Sequence, residues 1–383
     1  MTTPVYLAMR RSLTLQDKLL DFNWPLVLAI CVIACIGFAM LYSVAGGHFS
    51  PWASKQMLRF CIGLVLLTAA ALVDIKVWMA LAYPFYAICL LLLVAVEAFG
   101  HVGLGAQRWI ELGPIQLQPS ELTKIALILA LARYLHGLGV EDVSKPLRLA
   151  VPLAMIAVPA ALVLMQPNLG TATILIMDGA SLLFLAGLSW WWILPTLGGV
   201  AAAVPIGWQF LHDYQKRRVL TFLNPQNDAL GAGWNISQAE IAIGSGGVTG
   251  KGFLQGTQSQ LNFLPEKETD FIFTSIGEEF GFLGCIALLL LFATVIGYGV
   301  RIAMSSRSQF GRLAALGLTL NFFFYIMING AMVMGLIPVV GIPMPLLSYG
   351  GTALLTVMFG FGILMSVHVH RLREIPRHSG IIL

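Results

Sequence analysis

Long apolar stretches recur along almost the whole of this sequence, and they restrict its fold more than any other feature. A helix needs about 20 mostly apolar residues to cross a lipid bilayer. Ten stretches approach or exceed that length: residues 24–45, 57–74, 77–99, 119–137, 148–166, 170–188, 190–211, 272–300, 311–337 and 350–369. The sequence therefore predicts an all-α polytopic membrane protein with about ten transmembrane helices, forming a single membrane domain over residues 1–383.

The composition supports this class of protein. Charged residues make up 10% of the chain and hydrophobic residues 58%, with a mean hydropathy of +0.84. A soluble domain would carry about 25% charged residues, so this chain has too little charge for a water-facing surface. The net charge of +4 is modest, and we expect no nucleic-acid partner. The five cysteines all lie in apolar stretches without metal-ligand spacing, which is typical of small buried side chains.

Basic residues are distributed unevenly between alternate loops, and this predicts the orientation. With the N-terminus in the cytoplasm, the cytoplasmic segments hold most of the lysines and arginines. The short outer segments then hold only Lys55, Arg59, Arg108 and Lys124. The positive-inside rule favours this orientation, and an even number of spans places both termini in the cytoplasm. One long extracytoplasmic loop, about residues 212–270, precedes the eighth helix, and loops of this length are usually functional.

Four polar clusters are predicted to meet on the outer side of the membrane. The first comprises residues 105–109 (GAQRW) and the segment from Gln118 to Lys124. Glu121 and Lys124 are three residues apart on a predicted helix, so they share a face and can pair. Such a pair either neutralises itself structurally or lines a functional cavity. The second cluster, residues 166–171 (QPNLGT), is a tight polar turn that is explained either by turn formation or by function.

The third cluster lies in the long outer loop. Lys216, Arg217 and Arg218 suit either an anionic phosphate group or an anchor to acidic membrane lipid. Residues 244–252 (GSGGVTGKG) are glycine-rich but lack the pattern of a phosphate-binding P-loop. We therefore expect a flexible turn there and no nucleotide cofactor.

The fourth cluster, residues 263–273, packs four ionisable side chains directly before an apolar span. Asp270 is its candidate catalytic residue, because a partly buried carboxylate can serve as a general base. The same residue could instead cap the following helix, and the sequence leaves both interpretations open. Asp178 lies alone within another apolar stretch, and the sequence identifies no partner for it.

Taken together, these motifs resemble the SEDS family (shape, elongation, division and sporulation proteins) over nearly the whole chain. The most specific segments are residues 262–271 (NFLPEKETDF), 118–121 (QPSE) and 345–351 (PLLSYGG). Residues 256–260 (GTQSQ) and Lys267 favour the branch of the family that acts in cell elongation.

The resemblance implies a peptidoglycan glycosyltransferase that polymerises lipid II into β-1,4 glycan strands on the periplasmic side of the bacterial inner membrane. Asp270 matches the family's catalytic acidic residue and is a candidate ligand for a divalent cation, Mg or Mn. The expected partners are lipid II, membrane lipid, and a class B penicillin-binding protein within the elongation complex. The residues expected to bind substrate are Glu121, Lys124, Arg108, Lys216, Arg217, Arg218, Lys267 and Ser348.

Two positions depart from the family pattern. Asn168 stands where the family commonly has aspartate, and Glu268 stands where it often has histidine. Two other functions remain open at this stage. A lipid II flippase or transporter would also place charge in a membrane cavity, and a non-catalytic scaffold of the elongation complex would recruit partners without chemistry.

Overall fold

The computed structural model describes residues 14–376, except 100, 104–105, 113–114, 262, 264–265 and most of 193–231. Its helices in chain order are α1 (Leu15–Leu20), α2 (Trp24–Val44), α3 (Ala53–Leu72), α4 (Ile75–Phe99), α5 (Pro119–His136), α6 (Val140–Val143), α7 (Pro146–Met165), α8 (Leu169–Leu185), α9 (Ala232–Gly246), α10 (Thr257–Gln260), α11 (Ile272–Ser305), α12 (Gln309–Val333) and α13 (Gly351–Val369). Three short strands lie between α4 and α5: β1 (His101–Gly103), β2 (Ala106–Leu112) and β3 (Ile115–Leu117).

The predicted polytopic helical fold is confirmed. Each predicted span except 190–211 coincides with a long helix to within a few residues at either end, and 190–211 lies largely outside the described residues. Within the part of the chain that the structure describes, seven helices are long and apolar enough to cross a membrane. The total of ten spans stays a prediction.

The three strands form a small antiparallel sheet in the order β1–β2–β3. This sheet was not predicted from the sequence. Ile110 pairs with Leu117, and Leu112 pairs with Ile115. The hydroxyl of Thr352, in the first turn of α13, donates to the backbone carbonyl of Gln116 over 2.7 Å. The sheet is thereby attached to the end of the helix bundle where α5 and α13 begin.

The two ends of the described chain meet at the opposite end of the bundle. Arg371, just after α13, donates two hydrogen bonds to the carboxylate of Asp21, just before α2, over 2.6 and 3.0 Å. The backbone N–H of Arg307, between α11 and α12, donates to the carbonyl of Arg371 over 2.9 Å. This arrangement agrees with the prediction that both termini lie on one side of the membrane.

Helix α11 breaks at Gly281, whose φ of 64° and ψ of −160° are not helical. The glycine-rich turn after α9 packs against this break through two backbone hydrogen bonds. The N–H of Lys251 donates to the carbonyl of Glu278 over 3.0 Å, and the N–H of Phe282 donates to the carbonyl of Gly247 over 2.9 Å. A Cβ on Gly250 would lie 2.2 Å from the Glu279 carbonyl oxygen. The flexible turn expected here is therefore a packed one, because glycine allows the two backbones to touch.

Candidate active site

A polar cavity of about 470 Å³ opens where the first, second and fourth predicted clusters come together. Its walls come from segments that are far apart in sequence. The polar and aromatic side chains lining it are Trp109, Gln118, Glu121, Lys124, Asn168, Thr171, Asn235, Glu266, Thr269, Asp270, Phe271, Tyr325, Tyr349 and Thr352. Three of the four predicted clusters thus line one cavity in the described residues, and they bring Asp270 together with Glu121 and Lys124.

Asp270 belongs to a loop, residues 266–271, that forms one wall of the cavity. The following helix begins at Ile272 with Phe271 as its N-cap, and that cap makes no side-chain hydrogen bond. Asp270 is therefore not the N-cap residue of α11. Gly341 adjoins its carboxylate, since a Cβ built on Gly341 would lie 3.4 Å from Oδ2 of Asp270.

Glu121 and Lys124 form the ion pair that their spacing predicts. Nζ of Lys124 lies 2.7 Å from Oε1 of Glu121, and both side chains are almost fully buried in the first turns of α5. Tyr325 on α12 joins the pair: its hydroxyl donates to Glu121 and accepts from Lys124, whose Nζ also lies 4.2 Å from the centre of the Tyr325 ring. Two opposite charges and a phenol thus satisfy each other at the cavity wall, which lowers the cost of their burial.

Arg59 was counted among the outer basic residues but was not predicted to belong to the site. Its guanidinium carbon lies 4.7 Å from the centre of the Tyr349 ring. The same group packs against Gly351, where an added Cβ would lie 3.2 Å from it. Both Tyr349 and Gly351 line the cavity. Nη1 of Arg59 is buried and has no hydrogen-bond partner in the described part of the protein.

Ser348 lies behind the cavity wall. Its side chain is buried, and its hydroxyl accepts from the N–H of Met344 over 2.8 Å and donates to the carbonyl of Thr269 over 2.6 Å. Both hydrogen bonds connect segments of the protein to each other. This geometry suits a structural link better than the substrate contact expected from the resemblance.

Lys267 does not line the cavity that contains Asp270. It faces a second opening of about 570 Å³, bounded by the end of α2, by Pro51 and Trp52, and by Leu254 and Gln260. Burial lowers the pKa of its ammonium group below the ordinary value, and the nearby Glu268 opposes this effect. Residues 266–270 therefore present acidic groups to one opening and a cation to the other.

The other predicted basic residues are only partly described. Arg108 lies in β2, and its side chain falls outside the described residues. Lys216 is partly exposed and is not among the described residues that line the cavity. Arg217 and Arg218 lie outside the described residues. Their expected contacts with substrate stay predictions.

Asp178 has a partner that the sequence did not reveal. The side-chain amide of Asn321 on α12 donates to Oδ2 of Asp178 on α8 over 2.6 Å, with Asp178 fully buried. The two glutamates after Asp270 also have structural partners. Glu278 accepts from Lys251 over 2.7 Å and from Thr257 over 2.9 Å, while Glu279 accepts from the Ser43 hydroxyl. These groups hold helices and the outer loop together, away from the cavity.

Comparison with known proteins identifies the family. The family model described as "Cell cycle protein", which covers FtsW, RodA and SpoVE, matches residues 18–373. The chain belongs to the FtsW/RodA/SpoVE family. This is the SEDS family that the sequence motifs indicated.

Individual members of the FtsW/RodA/SpoVE family are similar to this chain over almost their whole length. The peptidoglycan glycosyltransferase MrdB of Escherichia coli K12 is 45% identical over 350 residues, covering 91% of this chain and 94% of that protein. A chain solved in a study of a peptidoglycan synthase complex superimposes with a TM-score of 0.80 at 31% identity, covering 92% of this chain and 99% of that one. Rod shape determining protein RodA of Thermus thermophilus superimposes with a TM-score of 0.70 at 28% identity, covering 92% of this chain and 98% of that one.

Asn168, which departs from the usual pattern of the FtsW/RodA/SpoVE family, is the N-cap of α8. Its Oδ1 accepts a hydrogen bond from the N–H of Thr171 over 3.3 Å, and the residue also lines the cavity. Asparagine and aspartate cap helices about equally well. The turn-forming interpretation of this cluster is therefore confirmed, and the side chain still lies where a ligand can reach it.

Proposed function

We propose that this chain is a peptidoglycan glycosyltransferase that polymerises lipid II into β-1,4 glycan strands during cell elongation. The similar MrdB protein of Escherichia coli is named a peptidoglycan glycosyltransferase. The observation that carries the proposal is that Asp270, Glu121 and Lys124 line one polar cavity. A polar cavity lined by charged groups suits a substrate with a pyrophosphate and sugar hydroxyls.

Asp270 is proposed as the general base of the reaction. The donor sugar is already activated by its pyrophosphate, so the chain must chiefly remove a proton from the 4-hydroxyl of the acceptor sugar. That oxygen then attacks the anomeric carbon of the donor, and the bond to the pyrophosphate breaks with inversion. The Asp270 carboxylate takes up the hydroxyl proton, and the pyrophosphate leaves with the bonding electrons.

Positive charge near the leaving pyrophosphate would stabilise the transition state. Arg59 is the described cation best placed for this task, since it adjoins the cavity and has an unpaired Nη1. The charge of Lys124 is already neutralised by Glu121. Lys124 therefore adds polarity to the cavity wall but no net positive charge. We also assign this task to Lys216, Arg217, Arg218 and Arg108 on the strength of their charge.

A divalent cation, Mg or Mn, is a further proposal. Among the described residues, no group of three or more acidic, histidine or cysteine side chains could hold a metal by itself. A hard cation bound to a phosphate substrate needs only one or two carboxylates, and Asp270 and Glu266 both line the cavity. These two residues would hold the ion, which would neutralise charge on the pyrophosphate.

We further propose that the cavity opens to the periplasmic side of the bacterial inner membrane. The bias of basic residues toward the other end of the bundle supports this orientation. We propose a class B penicillin-binding protein of the elongation complex as the partner. Its support is the structural similarity to a chain from a peptidoglycan synthase complex.

The decisive experiment is polymerisation of purified lipid II by this chain in complex with its penicillin-binding partner. We expect glycan strands from the wild type and a rate at least about a hundredfold lower from Asp270→Asn, provided that the variant folds and binds the partner normally. Unchanged polymerisation by Asp270→Asn would remove Asp270 from the mechanism. Transport of lipid II across vesicle membranes without formation of any polymer would instead favour the flippase function.

A further inference from the structure

Three successive carbonyl groups before α11 each accept a hydrogen bond from a different donor. The backbone N–H of Tyr349 donates to the carbonyl of Glu268 over 2.7 Å. The hydroxyl of Ser348 donates to the next carbonyl, of Thr269, over 2.6 Å. The third carbonyl belongs to Asp270 itself, and it accepts from the side-chain amide of Asn329 over 2.8 Å.

Asn329 connects two loops that line the cavity. Its side chain is completely buried in α12, and the same Nδ2 that donates to the Asp270 carbonyl also donates to the Ile342 carbonyl over 2.7 Å. Ile342 belongs to residues 339–343, which line the same cavity as the loop that carries Asp270. A primary amide has two N–H donors on one nitrogen, so one side chain can satisfy both carbonyls.

We infer that Asn329, assisted by Ser348, is a positioning residue for the Asp270 carboxylate. This inference rests on the proposed function. A general base must lie within hydrogen-bond reach of the hydroxyl proton, and a displacement of about 1 Å can cost about a hundredfold in rate. The three carbonyl contacts hold the backbone on which the carboxylate is carried, while neither Asn329 nor Ser348 needs to touch the substrate.

The same helix offers a matched control. Asn321 is a nearly buried asparagine on α12, eight residues from Asn329, and its amide donates to Asp178 rather than to a cavity loop. Asn321→Leu and Asn329→Leu remove the same chemical group from the same helix and add nearly the same volume. Any effect common to both variants reflects the stability of the bundle.

The test measures lipid II polymerisation by the wild type, Asn329→Leu, Ser348→Ala and Asn321→Leu, each in complex with the penicillin-binding partner. Initial rates over a range of lipid II concentrations separate kcat from KM, and thermal unfolding reports stability. We expect kcat to fall about tenfold to a hundredfold in Asn329→Leu, with KM nearly unchanged. Ser348→Ala should show a smaller fall in kcat, and Asn321→Leu should keep the wild-type kcat.

A second measurement introduces Asn329→Leu into the Asp270→Asn variant and follows residual polymerisation. If Asn329 acts through Asp270, the second substitution lowers that rate far less than it lowers the wild-type rate. Wild-type kcat in a folded Asn329→Leu protein would overturn the inference. Equal losses of kcat in Asn329→Leu and Asn321→Leu would also overturn the inference. If Asn329→Leu does not fold, an unchanged kcat in Ser348→Ala overturns it instead. A wild-type complex that forms no strands overturns the proposed function, and the inference with it.

Discussion

The hydroxyl of Tyr325 on α12 donates to the carboxylate of Glu121 on α5 at the wall of the cavity. Because Lys124 donates to the same hydroxyl and to the same carboxylate, the three groups form a closed triangle. The triangle also fixes α5 against α12, and α12 carries Asn329. A change at Tyr325 should therefore affect both stability and the geometry of the cavity.

Tyr325→Phe should lower the free energy of unfolding by about 1–3 kcal/mol, because a buried ion pair loses a hydrogen-bond partner. Glu121→Gln should cost more, about 3–5 kcal/mol, because it leaves the Lys124 charge uncompensated. The double variant Glu121→Gln, Lys124→Met should recover part of that loss. Thermal unfolding in one detergent measures all three. The single variant Lys124→Met completes the comparison, and losses from Glu121→Gln and Lys124→Met that simply add in the double variant would contradict a coupled pair.

Gly341→Ala should reduce polymerisation at least about tenfold. Its φ of 71° disfavours any side chain, at a cost of about 1–2 kcal/mol, and its Cβ would meet the Asp270 carboxylate. Gly46→Ala is the matched control, since Gly46 has a φ of 68° but no atom within 4 Å of an added Cβ. The two variants should lose similar stability, and only Gly341→Ala should lose activity. Equal activities would show that Asp270 tolerates the added methyl group.

Arg59→Met should lower kcat/KM for lipid II about tenfold to a hundredfold, since one charge-assisted hydrogen bond to phosphate contributes about 1.5–3 kcal/mol. Gly351→Ala should act in the same direction, because its methyl group would displace the guanidinium. Gly350→Ala should have a smaller effect, since an added Cβ there meets only the Ala353 Cβ at 3.8 Å. Steady-state polymerisation gives these constants. An unchanged kcat/KM in Arg59→Met would exclude a role for Arg59 in binding either the substrate or its transition state.

Asn168→Asp should leave the stability of the protein within about 0.5 kcal/mol, whereas Asn168→Ala should lower it by about 1 kcal/mol through loss of the helix cap. Polymerisation across a series of Mg or Mn concentrations then tests whether charge matters at this position. A lower cation requirement in Asn168→Asp would show that a carboxylate there assists binding of the ion. Identical cation dependence in Asn168→Asp and the wild type would show that residue 168 acts only as a helix cap.

Hydropathy predicted most of the fold because each apolar stretch of sufficient length has only one stable form in lipid. The small sheet was missed, since its outer strands have only three residues each, which is too short for an alternating pattern to be recognised. The positions of Glu121, Lys124 and Asp270 followed from the high cost of charge near lipid. Side-chain links such as Ser348 could not be predicted, because they depend on how distant loops meet.

The contribution of α12 to the site was missed although a signal was present. Asn321, Tyr325 and Asn329 are spaced four residues apart within a predicted span, so they share one helical face. Polar side chains in a membrane helix usually face other helices. These three residues make the polar contacts of α12 with Asp178, with the Glu121–Lys124 pair and with the loop of Asp270, respectively.

The break at Gly281 divides one apolar stretch between two surroundings. Before it, Phe273 and Ile276 are buried in protein, whereas Phe282, Leu283 and Leu290 after it are exposed on the outer surface of the bundle. Random substitution along α11 should therefore reveal two regimes within a single helix. Up to residue 279, shape should be selected and even Ile-to-Leu exchanges penalised. Beyond 281, only the buried face with Leu288, Phe292 and Val295 should be restricted, and the exposed positions should accept most lipophilic residues.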